Sequence, residues 1–115
     1  MSIPAQCHLW QAGELTTGDL CEALTVVETF LDEPHQTRDL RKCKFCGQLY
    51  FHEFLDWIDW EKGDDPQYQT FIPVDSKEEI GPLLQADEFG LQSFSPRLLT
   101  DYPKEAERHR IHWVR

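Results

Sequence analysis

The strongest chemical feature of the sequence is a pair of cysteines, Cys43 and Cys46, separated by two residues. This spacing places two thiolates on one tight turn, close enough to bind a single ion, and Zn²⁺ prefers four such ligands in a tetrahedron. Gly47 follows directly, and glycine adopts a positive φ angle at no steric cost. Because the apolar run Leu49–Leu55 comes next, the stretch predicts a metal-binding turn that opens a β-strand.

Three cations, Arg41, Lys42 and Lys44, surround the two thiols in the sequence. They favour the thiolate forms and offset the negative charge of a sulfur-rich zinc site. The segment Cys43–Gly47 resembles the Cys-x-x-Cys-Gly knuckle of zinc ribbons and rubredoxins. The resemblance covers these five residues, and a second Cys-x-x-Cys is absent from the sequence. It implies a structural zinc site built on a turn.

The remaining ligands must come from other parts of the chain. We predict a four-sulfur zinc site made by all four cysteines of the sequence, namely Cys7, Cys21, Cys43 and Cys46. The alternative ligands are the five histidines, namely His8, His35, His52, His109 and His112. His8 can substitute for Cys21 beside Cys7, and His109 and His112 have a ligand-like spacing of their own. A second interpretation makes Cys7 and Cys21 buried apolar residues, as free cysteines often are.

Two other kinds of cysteine chemistry compete with metal binding. A redox Cys-x-x-Cys sits at a helix N-terminus after a strand, whereas an apolar β-type run follows Cys46. Two disulfides would require an oxidising compartment. The N-terminal residues lack the basic and apolar regions of a secretory signal, which indicates a cytoplasmic protein. Metal binding is therefore the favoured interpretation.

Charge and composition restrict the kind of partner. The chain has 115 residues and a net charge of −10, which predict a single acidic domain over residues 1–115. A phosphate backbone would be repelled by most of this surface, which argues against nucleic-acid binding. No apolar run approaches the roughly 20 residues that a membrane span needs. An acidic surface favours a protein partner, in particular a basic one.

The hydrophobic pattern predicts an α+β fold with a small antiparallel sheet, one N-terminal helix and short C-terminal helices. Cys7 to Trp10 reads as a short strand or loop near the metal. Apolar spacing predicts a helix over residues 18–32, with Cys21 in its first turn. The turn-forming residues 61–66 predict a β-hairpin over residues 48–73, whose first strand is central in the sheet. The predictions for the last third of the chain are a short helix after Ser76, a helical turn over residues 95–99, and an edge strand over residues 111–114 that pairs with the hairpin.

Two functions follow from these expectations. The first is a zinc-stabilised protein-interaction or regulatory module in which zinc is structural. The second is an enzyme, either a thiol–disulfide redox protein that uses Cys43 and Cys46 or a zinc hydrolase. The coordination of the zinc distinguishes the two functions. Four protein ligands define a structural zinc ion, whereas three protein ligands and a water molecule define a catalytic one.

Overall fold

The computed structural model describes residues 4–11, 17–56, 67–86, 90–94, 96–102 and 110–114. Within these residues the chain forms one six-stranded antiparallel sheet in which the strands lie in the order of the sequence. The strands are β1 (Leu24–Glu33), β2 (Gln36–Cys43), β3 (Leu49–Asp56), β4 (Gln67–Val74), β5 (Arg97–Tyr102) and β6 (Arg110–Val114). This simple meander leaves β1 and β6 at the two edges.

Short helices accompany the sheet in the described part of the chain. They are α1 (His8–Gln11), α2 (Thr17–Ala23) and α3 (Ile80–Gln85), with 3-10 turns at Lys77–Glu79 and Gly90–Ser93. The α+β prediction is therefore confirmed in its coarse form, although the sheet dominates. The helix predicted after Ser76 is confirmed, but its N-cap serine makes no side-chain capping hydrogen bond.

The hairpin predicted over residues 48–73 is confirmed by the antiparallel pairing of β3 with β4. Its turn, residues 57–66, lies outside the described residues. Strand β3 has β2 on its other side, so it is central in the sheet, as predicted. A central strand is covered on both faces, which explains why Tyr50 and Phe51 are both fully buried although they point in opposite directions.

The long helix predicted over residues 18–32 is wrong. Helix α2 ends at Ala23, and β1 begins at the next residue, Leu24. The segment contains Thr25, Val26, Val27 and Thr29, whose branched side chains favour the pleated conformation over the helix. Pairing with β2 along the whole strand then outweighs the helix-like apolar spacing.

Three further expectations need correction. The helical turn predicted over residues 95–99 is a strand, β5, because Leu98 pairs with Phe71 and is completely buried; Ser95 lies outside the described residues. Strand β6 is an edge strand as predicted, but it pairs with β5 and not with the hairpin. The segment from Cys7 to Trp10 includes a helical turn and is not a strand.

The sheet carries a separate apolar core on each face. One core joins Cys7, Leu9, Leu20, Cys43 and Tyr50 with Phe71 and Leu98, and we call this side the thiol face. The other core joins Leu40, Phe51, Ile72 and Val74 with Ile80, Leu83 and Leu91, and we call it the α3 face. Helices α1 and α2 contribute to the thiol face alone, so they bring the N-terminal cysteine to the end of β2.

Candidate metal centre

The turn between β2 and β3 carries the Cys-x-x-Cys pair. Gly47 has a φ angle of +82°, the left-handed conformation expected from the sequence. Its N–H donates to the carbonyl of Cys43 at 2.8 Å, and the N–H of Cys43 donates to the carbonyl of Gln48 at 2.8 Å. The N–H of Lys44 donates to the carbonyl of Ala23 at 2.9 Å, which ties the turn to the end of α2. These bonds fix the backbone that carries both thiols.

The start of α1 and the residue before it bring two further ligand groups to this turn. One ligand atom each from Cys7, His8 and Cys43 can be chosen such that all three lie within 4.8 Å of one another. The sulfur of Cys43 lies 4.0 Å from Nδ1 of His8. A tetrahedral zinc ion would hold a sulfur and a nitrogen about 3.6 Å apart, given its usual bond lengths. The Cys43 sulfur and the His8 nitrogen would therefore need to approach by only about 0.4 Å to share a metal ion.

Cys46 lies beside this group on the solvent side. Its side chain is exposed, whereas Cys7 and Cys43 are buried. Its thiol nevertheless interacts with the thiols of both buried cysteines. The three ligand atoms within 4.8 Å of one another come from Cys7, His8 and Cys43, and the Cys46 sulfur is outside that group. His8 and Phe45 cover the outer side with an edge-to-face contact at 5.1 Å between ring centres.

The two buried thiols differ in acidity. Burial raises the pKa of Cys43, but the N–H groups of Cys46 and Phe45 donate to its sulfur and, with the neighbouring thiols, bring the net pKa below its usual 9.0. Burial raises the pKa of Cys7 to about 11, although Tyr50 and the backbone of Leu9 act in the opposite direction. Cys43 is therefore the readier thiolate, and a cation would be needed to ionise Cys7 near neutral pH.

The structure does not bring every predicted ligand to this place. Cys21 is the fifth residue of α2, beyond the first turn in which we expected it, and its side chain lies outside the described part. His35 lies in the β1–β2 turn, at the far end of β2 from Cys43. At about 3.3 Å per residue along an eight-residue strand, that separation is about 26 Å. His35 is therefore excluded from this site.

The other histidines fall elsewhere. His52 lies in the middle of β3, where it is buried and contacts Asp39 and Gln69. His112 is in β6 opposite Leu99, and nothing is described of its side chain. His109 lies outside the described residues. His8 is thus the histidine that the described structure places among the thiols, as the alternative to Cys21 allowed.

Sequence reasoning missed one residue that bears on the site. Tyr50 is fully buried on the thiol face, and its hydroxyl has no well-formed hydrogen bond within the described residues. The hydroxyl is close enough to the Cys7 thiol to influence its pKa. The only available signal was the alternation of β3, which predicts that Tyr50 and Phe51 face opposite sides, and it does not indicate which side meets Cys7.

Comparisons with protein-family models, with curated proteins and with solved structures found no match. No helix in the described residues is long and apolar enough to cross a membrane. The site must therefore be interpreted from its own chemistry.

Proposed function

We propose that this chain is a small acidic protein-interaction or regulatory module whose fold is stabilised by a structural zinc ion. The observation that carries the proposal is the convergence of Cys7, His8 and Cys43, whose ligand atoms lie within 4.8 Å of one another. For the fourth ligand we propose Cys46, which is outside this group but whose thiol interacts with both buried thiols. Three thiolates and one imidazole are a common structural zinc set. The Cys21 thiol of the four-sulfur prediction is the alternative to His8.

The position of the site supports a structural ion over a redox dithiol. Cys43 ends β2, and β3 begins six residues later at Leu49, so the cysteine pair joins two antiparallel strands. Redox pairs of this spacing sit instead at the start of a helix, whose N-terminus stabilises the thiolate. The N–H groups that donate to the Cys43 sulfur suit a thiolate that remains bound to a cation.

A zinc ion here would join separate parts of the chain. Cys7 directly precedes α1 and His8 begins it, while Cys43 ends β2 and Cys46 lies in the β2–β3 turn. Such a bond fixes a short helix that could not be stable alone. Metal binding of this kind contributes on the order of 10 kcal/mol to folding. We expect a large decrease in melting temperature when a strong chelator is added.

Metal content measured by native mass spectrometry tests the ligand set. One zinc per reduced chain is expected, with loss of high-affinity binding in Cys7→Ser, Cys43→Ser, Cys46→Ser and His8→Ala. Cys21→Ser serves as the matched control and should keep its zinc. Loss of zinc in Cys21→Ser with retention in His8→Ala would restore the four-sulfur site. Absence of metal from freshly reduced protein would refute the proposal.

The partner surface that we propose is the free edge of the sheet. In the described part of the chain β1 pairs only with β2, and it exposes Val26 and Val27 together with Glu28 and Asp32. An open edge accepts an extended segment through backbone hydrogen bonds, and its charge selects a basic one. The net charge of −10 on the whole chain also favours a basic partner.

A synthetic lysine-rich peptide tests this surface. We expect salt-sensitive binding that weakens several-fold in Glu28→Gln/Asp32→Asn while the metal content stays at one. The control double variant Asp19→Asn/Asp75→Asn removes two exposed charges from residues outside β1 and should bind normally. Equal weakening in both double variants would mean that general acidity, and not the β1 edge, attracts the peptide.

A further inference from the structure

The hydroxyl of Tyr50 is an unexplained polar group in the core of the protein. The residue is 0 % exposed, and within the described residues its oxygen has no well-formed hydrogen bond. Water cannot replace the missing partner at an atom that has no accessible surface. Buried hydroxyls are normally paired, so one without a partner calls for a physical explanation.

The register of the sheet places this hydroxyl on the side of the thiols. Tyr50 lies opposite Arg41 in the β2–β3 pair, and Arg41 is two residues before Cys43, so all three side chains share one face. Tyr50, Cys7 and Cys43 also belong to the same buried cluster. Among the thiols, that of Cys7, the residue just before α1, interacts most strongly with the hydroxyl.

The chemistry of sulfur accounts for the incomplete bond. A neutral thiol is a weak acceptor, whereas a thiolate carries a full charge and accepts strong hydrogen bonds. The Cys43 sulfur already receives backbone N–H groups from Phe45 and Cys46. The Cys7 sulfur receives one from Leu9, so a donor from the sheet side would give the two buried sulfurs equivalent support.

We propose that Tyr50 is a positioning residue of the metal centre, whose hydroxyl donates a hydrogen bond to the sulfur of Cys7 when that sulfur is a metal-bound thiolate. The proposal rests on the metal site put forward above. It assigns a role to a core tyrosine that packing alone leaves unexplained, since phenylalanine would fill the same space without an unpaired oxygen. Outer hydrogen bonds of this kind typically change metal affinity by ten- to a hundredfold.

Cobalt substitution provides a readout that packing would not change. In the Co²⁺-loaded protein, the charge-transfer band from sulfur to metal reports the electron density on the thiolates. We expect Tyr50→Phe to bind one Co²⁺ per chain. Its charge-transfer band should lie at lower energy, because loss of the hydrogen-bond donor raises the energy of the sulfur lone pairs from which the electron is excited. Affinity measured by chelator competition should fall about tenfold. Tyr68→Phe is the matched control, because Tyr68 lies on β4 opposite Leu55 and is only partly buried.

Replacement of Tyr50 by 3-fluorotyrosine complements the deletion. This side chain keeps the ring and is a stronger donor, so the band should move to higher energy than in the unmodified protein. Opposite shifts in the two variants would establish the hydrogen bond. Unchanged bands in both would overturn the role of Tyr50 while leaving the metal site intact. Failure of the unmodified protein to bind Co²⁺ or Zn²⁺ would overturn the metal site and this inference together.

Discussion

Nδ1 of His52 lies 3.1 Å from Oδ2 of Asp39, across the β2–β3 pair and below the surface of the thiol face. Its Nε2 lies 2.9 Å from Oε1 of Gln69 on β4. Both ring nitrogens are therefore engaged, and the ring also packs on Phe71 with 4.6 Å between ring centres. His52 links three adjacent strands, whereas His8 is exposed and faces a thiol.

This contrast predicts opposite phenotypes for two alanine variants. His52→Ala should lower the free energy of unfolding by about 2–3 kcal/mol, because Asp39 and Gln69 lose a buried partner. It should still bind one zinc. His8→Ala should weaken zinc binding, yet change the stability measured in excess chelator by no more than about 0.5 kcal/mol. Urea denaturation with and without chelator, together with metal analysis, checks both. The reverse pattern would make His52 the ligand.

Asp39 makes stability depend on acidity. Burial raises the pKa of its carboxyl, but hydrogen bonds from His52 and Arg41 outweigh burial and hold the pKa below its usual 3.8. A carboxyl with a depressed pKa stabilises the fold above its unfolded pKa, and this contribution is lost as the pH falls through the folded pKa.

The corresponding variant is Asp39→Asn, which cannot titrate. The urea midpoint of this variant should be lower than that of the unmodified protein, by a constant amount near neutral pH. The difference should shrink below about pH 4, where Asp39 of the unmodified protein becomes protonated. Excess chelator in both samples removes any contribution from metal release. A deficit that widens on acidification would contradict the assigned direction of the Asp39 pKa shift.

The β3–β4 hairpin and the turn at Gly47 could be predicted from the sequence because their signals are local. Gly47 after the cysteine pair, and the turn-forming residues 61–66 between two apolar runs, each act within a few residues. The end of α2 at Ala23 could not be predicted from the sequence, since residues 24–31 have both the apolar spacing of a helix and the β-branched composition of a strand. Pairing with β2 decides between them, and a periodicity argument contains no information on pairing.

The same limit applies to the candidate site. The Cys-x-x-Cys spacing identifies Cys43 and Cys46 because both lie on one turn. That Cys7 and His8 reach this turn depends on how α1 packs against the thiol face, through contacts between residues more than 30 positions apart in the chain. The sequence therefore left five histidines as alternative ligands, with His8 favoured only by its position beside Cys7, and packing distinguishes it from the buried His52.

A buried ion pair on the α3 face offers a second test of the fold. Nε of Arg38 donates to Oε2 of Glu53, and both side chains are almost fully buried. Arg38 also donates to the carbonyls of Leu83 and Leu84 near the end of α3, at 3.4 and 3.2 Å. The pair therefore attaches α3 to the sheet through these two carbonyls.

Removal of one member should be costly. Arg38→Met or Glu53→Leu is expected to destabilise the protein by about 3–5 kcal/mol, since each leaves an uncompensated buried charge. The double variant should lose far less than the sum of the two. Lys77→Met is the exposed control, because its 3.8 Å pair with Glu28 is solvated and should contribute under about 1 kcal/mol. Additive losses in a double-mutant cycle would contradict a direct coupling.

Gly47 should tolerate no side chain without a conformational cost. A Cβ added there would meet only Lys42 at an ordinary 3.8 Å, so the constraint is the φ angle of +82° and not space. Gly47→Ala is expected to cost about 1–2 kcal/mol and to weaken zinc binding. The matched control is Gly81→Ala, since a Cβ at Gly81 would meet open space and its φ angle is negative. The higher helix propensity of alanine stabilises α3, whereas a side chain before Pro82 disfavours the helical conformation. We therefore expect the free energy of unfolding to change by no more than about 0.5 kcal/mol. Equal losses would exclude the turn conformation as the cause.

Strand β6 contacts α1, the helix that begins at His8, directly. Nε1 of Trp113 on β6 donates to the carbonyl of Leu9 at 2.9 Å. The indole ring also packs edge-to-face on Trp10, with 4.7 Å between ring centres. Because α1 has only four residues, its position depends on such contacts. The two proposed ligands on the N-terminal side, Cys7 and His8, are therefore held in place partly by strand β6.

We accordingly expect Trp113→Phe to reduce zinc affinity several-fold although residue 113 is not a ligand. The variant keeps an aromatic ring but loses the donor, so α1 should be held less firmly and part of the binding energy would be used to order it. Chelator competition measures the affinity, and amide exchange of residues 8–11 measures the order of α1 without metal. Ile111→Val, on the same strand and packed against the same core, removes a methyl group without removing a donor and should leave affinity unchanged. Faster amide exchange in α1 together with an unchanged zinc affinity would contradict the expected dependence of metal binding on the order of α1.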